Sequence, residues 1–290
     1  VFPRPDRIVV PQYEPTPGLS LVAAAELLGE SRRAIAAQVV DLAVRGVVRV
    51  AREKRSFTLE LATLEPLGPE NSPAGLDQRD ILHVLFPGME PGSRRELRHG
   101  GNRSLGAQLK DPHRRVVARL IASGLARERG LLERTIVFWR KQPTEPTAAA
   151  HASIDHLWGV HDYVRLAEAD RFAMLQSPSG ALTAPLGDLE VLRLHERLLP
   201  YAVLFGLEKE WMRELDLRYR SLPPDVLAGL GGMADLLTVT EVAVHTVALV
   251  ADLAELAAAV DVGEALDGAG AFFGGLGDAL GSIDFPDISI

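Results

Sequence analysis

The chain has 290 residues, 47% of them hydrophobic and 24% charged, which excludes a wholly disordered polymer and leaves enough apolar mass for more than one packed unit. It has no cysteine, which excludes disulfides and any thiolate metal site and suits a reducing compartment. Its net charge of −8 is unevenly held: residues 1–146 carry 23 Lys and Arg against 17 Asp and Glu, and residues 147–290 carry 8 against 22, so a basic front precedes an acidic back.

The chain opens on Val1 without a basic segment, apolar core and cleavage site in succession, and reads as a fragment or a processed product. Five prolines in the first twenty positions predict an extended lead-in over 1–19. Ser20 then caps a short helix, and Ser31 caps a second that ends at Gly46, with Ile35, Val39, Leu42 and Ala43 on one face. Beyond Gly46 the period becomes alternating, and "VVRV", "AREKR" and "SFTLEL" predict a hairpin with Val48, Val50, Phe57 and Leu59 inward. Helix, helix, hairpin is the layout of a winged helix, predicted over 20–61.

A linker is predicted over 62–75 and a second winged-helix-like module over 76–141. The second module opens with a helix capped by Asp77, continues through a polar segment broken at Gly100 and Gly101 and a helix in "PHRRVVARLIASGLA", and closes with a hairpin in "RERGLLERTIVFWRK". Residues 142–150 are a further expected linker, 151–222 an acidic helical domain, and 223–290 a helical and glycine-rich C-terminal segment. The expected fold class is therefore mainly α with small β-hairpins (α+β). Within "RLLPYAVLFGLEKEW" the apolar run Leu198 to Leu207 falls short of the roughly 20 residues that cross a bilayer. Pro200 predicts a joint, one helix ending near Leu199 and another starting at Pro200, with Tyr201, Phe205 and Trp211 in the packing between them.

Candidate chemistry is sparse. Arg32, Arg33 and Arg45 on the second helix, with Arg49, Arg52, Lys54 and Arg55 on its hairpin, form the richest basic set and predict a surface for a protein partner, an anionic lipid surface or a nucleic acid. The alanine-rich helix offers few groups that read base edges, so nucleic acid is the secondary reading. His151, Asp155, His156 and His161 lie close in sequence, but only His151 and Asp155 share helical spacing and no HExxH pattern occurs, so no metal or other cofactor is assigned. Glu208 and Glu210, two apart, point to different helix faces and read as solvated surface. No GxSxG, serine–lysine or GK[ST] motif is present, and the chain reads as non-enzymatic.

Four segments, "VPQYEPTPGLS", "QVVDLAVRGVVRV", "GVHDYVRLAEADRFAMLQSP" and "RLHERLLPYAVLFGLEKEW", together resemble the bacterial family of predicted membrane proteins known as domain of unknown function 2207, over about Val10 to Tyr219. The resemblance implies that the chain is the cytoplasmic portion of a protein held at the bacterial cell membrane, and it brings no known activity with it, because the family has none assigned. Where members carry hydrophobic spans after the second basic module, this chain has "KQPTEPTAAAHAS".

Overall fold

The computed structural model describes residues 11–53, 56–65, 67–98, 103–129, 144–166 and 188–221. The protein is α-rich, with two small antiparallel sheets among the described residues. Helix α1, Leu21–Leu28, starts where Ser20 Oγ accepts a hydrogen bond from Ala23 N at 3.0 Å and ends at Gly29, whose φ of 77° is left-handed. Helix α2, Ser31–Val44, follows; its Ser31 hydroxyl does not cap it but donates to Glu26. Strands β1 (Val48–Glu53) and β2 (Ser56–Leu61) form the expected hairpin, with Val48 opposite Leu61 and Val50 opposite Leu59, all buried.

Helix α3, Pro73–Leu85, starts earlier than expected. Ser72 Oγ, not Asp77, caps it by accepting from Gly75 N at 3.0 Å, and Pro73 takes the first helical position, where a missing N–H costs nothing. Strand β3, Arg94–Arg98, then pairs with β2, giving the sheet order β1-β2-β3. This strand lies in the polar segment assigned above to a separate module, so the expected linker at 62–75 joins parts of one sheet. Helices α4 (Arg103–Gln108) and α5 (Lys110–Ala122) lead to strand β4, Ala126–Glu128. Its partner is β5, Thr144–Pro146, inside the expected linker 142–150, and most of the hairpin expected within 127–141 lies outside the described residues.

A short 3₁₀ turn precedes helix α6, His151–Arg165. Helix α7 spans Asp188–Phe205 and α8 spans Glu208–Ser221. Pro200 does not divide two helices: α7 runs through it, and the joint lies at Gly206 and Leu207. Gly206 is left-handed at φ 74°, and Leu207 N reaches back to Ala202 O at 2.8 Å. A proline inside a helix costs about 3 kcal/mol. Here it sits among the buried Leu198, Leu199, Tyr201, Ala202, Val203 and Leu204, whose packing offsets the missing bond, whereas glycine reverses the chain with no Cβ penalty.

Helix α2 is the axis of the fold. Its residues Ala34 to Val40 are buried without interruption, then Leu42 and Ala43, because α1 covers one side and α7 the other. One continuous core runs from Leu21 to Leu215, so the expected boundaries at 62–75 and 142–150 do not separate cores. Residues 11–19 form neither helix nor strand, yet they are a strap rather than a linker, pinned along α6 and α7. No helix among the described residues is long and apolar enough to cross a membrane.

Candidate functional site

Of the basic set predicted as one surface, Arg32, Arg33, Arg45 and Arg49 have described side chains, and these four stand in different surroundings. Arg32 is exposed at the start of α2. Arg33 turns inward, and its Nη1 donates to Val203 O at 3.1 Å and to Glu208 Oε2 at 3.1 Å. Arg45 pairs with Asp41 one turn back, at 2.5 Å. Burial pushes the Asp41 carboxyl above its ordinary value, against the pull of Arg45 and Gln38. Arg49 stands on the outer face of the sheet 3.5 Å from Glu60, which also holds Arg94 at 2.7 Å, so one carboxylate bridges three strands. The backbone of Arg52 belongs to β1, and Lys54 and Arg55 lie outside the described residues.

This placement corrects one expectation. Glu208 is 5% exposed and is Arg33's partner rather than solvated surface. Helix α2 is covered by α1 and α7, with Ala34 to Val40 buried throughout.

The histidine-rich stretch does not converge. His151 is exposed at the first position of α6. His156 Nε2 donates to Glu14 O at 2.9 Å, securing the strap. His161 lies 3.2 Å from Asp162 and edge-on between Trp158 and Phe205, with ring centroids 4.9 Å and 5.0 Å away. Asp155 lies half-buried on the same helix, and among the described residues no three His, Asp or Glu side chains group to hold a metal ion.

The residues predicted for the helix joint line α7 and the start of α8. Leu199, Tyr201 and Trp211 are buried and Phe205 is half-buried. Trp211 stacks on the fully buried His195, with rings 5.0 Å apart and 13° from parallel, and its Nε1 donates to His195 O at 2.9 Å, fixing α8 on α7. The Tyr201 hydroxyl accepts from Thr16 N at 3.0 Å, and burial above all pushes its pKa up to about 12.

Two buried ionic clusters had no motif to announce them. In the first, Glu26 of α1 accepts from Thr144 Oγ1 at 2.7 Å and Ser31 Oγ at 2.9 Å and lies 3.2 Å from His113 Nε2, joining α1, α2, α5 and β5. Burial raises its pKa, but His113 and the two hydroxyls outweigh that and hold the carboxyl below its ordinary value. In the second, Asp77 of α3 accepts from Ser20 Oγ at 2.5 Å and Arg119 Nε at 2.6 Å, while Arg119 also reaches Asp80 at 2.6 Å. Burial dominates here and raises the Asp77 carboxyl.

Glu26 is 3% exposed, and its oxygens are taken by donors that favour its charged form. Only the length of the sequence between Ser20 and Asp77, and between Glu26, His113 and Thr144, hid these pairings: each residue is unremarkable locally. Compared with known proteins, the chain matches no family model, no curated protein and no solved structure at a significant level.

Proposed function

We propose that this chain is a non-enzymatic protein-interaction scaffold or sensor, the cytoplasmic portion of a bacterial protein held at the cell membrane, of the domain of unknown function 2207 type. In this reading the winged-helix-like unit that opens at Ser20, its sheet completed by β3, shares one core with the acidic helices and serves as a contact surface rather than as a reader of nucleic acid. The observation that supports it most is the enclosure of α2: its Arg33 faces Val203 O and Glu208 of the acidic helices, where a DNA-reading module would turn its basic helix outward. The family part is supported by the order of the four sequence segments quoted above.

Two measurements test the reading. Titration of the full chain with duplex DNA at low salt, where phosphate contacts are strongest, is expected to give no mobility shift. Fractionation of cells expressing the full-length gene is expected to place this region in the membrane fraction on the cytoplasmic side, accessible to protease only after lysis. A salt-sensitive DNA shift, or recovery in the soluble fraction, would contradict it.

A further inference from the structure

We draw no further inference here: the strongest candidate, the half-buried aromatic face between α6 and the end of α7 where His161 stands edge-on between Trp158 and Phe205, carries nothing, because nothing in the structure shows what covers it.

Discussion

Arg33 of α2 and Glu208 of α8, 175 residues apart, meet at 3.1 Å across the joint that ends α7. The same guanidinium nitrogen donates to Val203 O, which also accepts from Gly206 N at 3.2 Å as α7 ends, while Glu208 sits in the first turn of α8, where a carboxylate favours the helix dipole. A basic residue from the front of the chain thus locks the geometry of the acidic back.

Arg33→Ala is expected to destabilise the protein by about 2–3 kcal/mol, because it strands the buried Glu208 carboxylate and removes one of the two donors to Val203 O. Arg32→Ala, one residue away and exposed, is expected to change stability by less than about 0.5 kcal/mol. Urea unfolding of the two variants checks the contrast.

The position of the joint gives a second test. At Gly206 an added Cβ would stand 3.0 Å from Arg33 Nη2 and would have to adopt φ 74°. Gly206→Ala is expected to cost about 1–2 kcal/mol from backbone conformation alone, with more from displacement of Arg33. In the Arg33→Ala background the second part disappears, so the two substitutions are expected to be less than additive. Pro200→Ala is expected to leave α7 continuous, with helical circular dichroism unchanged.

Glu26 and Asp77 are expected to respond to pH in opposite senses. Glu26 is held below its ordinary value of 4.5, so its contribution is present above that pH and is lost as pH falls through its lower folded value. Asp77 is raised above 3.8, so its contribution is full below that pH and declines as pH rises through its folded value. Between about pH 3 and pH 6, the melting temperature of Glu26→Gln is expected to fall progressively further behind the native chain, and that of Asp77→Asn to improve relative to it. Parallel curves for either variant would contradict the assignment.

Loss of the Glu26 cluster at neutral pH is a separate expectation. Thr144→Val removes one hydroxyl donor while keeping the shape, and is expected to cost about 1–2 kcal/mol, measured by urea unfolding. His113→Ala is expected to cost at least as much, since it removes a donor and part of the α5 packing against α1.

What was legible in the sequence was local. Ser20, Gly46 and the alternation through Val48, Val50, Phe57 and Leu59 act within a few residues, and the structure places a cap, a helix end and a hairpin there. Strand β3 was not legible, because its inward positions are Leu97 and an arginine. Arg95 faces inward only because its guanidinium donates to Leu85 O and Val84 O at the end of α3. The joint was misplaced because Pro200 is the stronger local signal, although "FGLEKE" carries a glycine followed by an acidic first turn. The inward turn of Arg33 was hidden for a related reason: a count of arginines says nothing about which of them another helix will cover.

The central claim is that α2 is an interior helix shared by the basic front and the acidic back. Native-state hydrogen exchange tests it most directly, by comparing amides of Val39 and Val40 in α2 with those of Ala202 and Val203 in α7. The account predicts one common opening free energy for both helices. Exchange of α2 at a lower free energy, with α7 still protected, would contradict it.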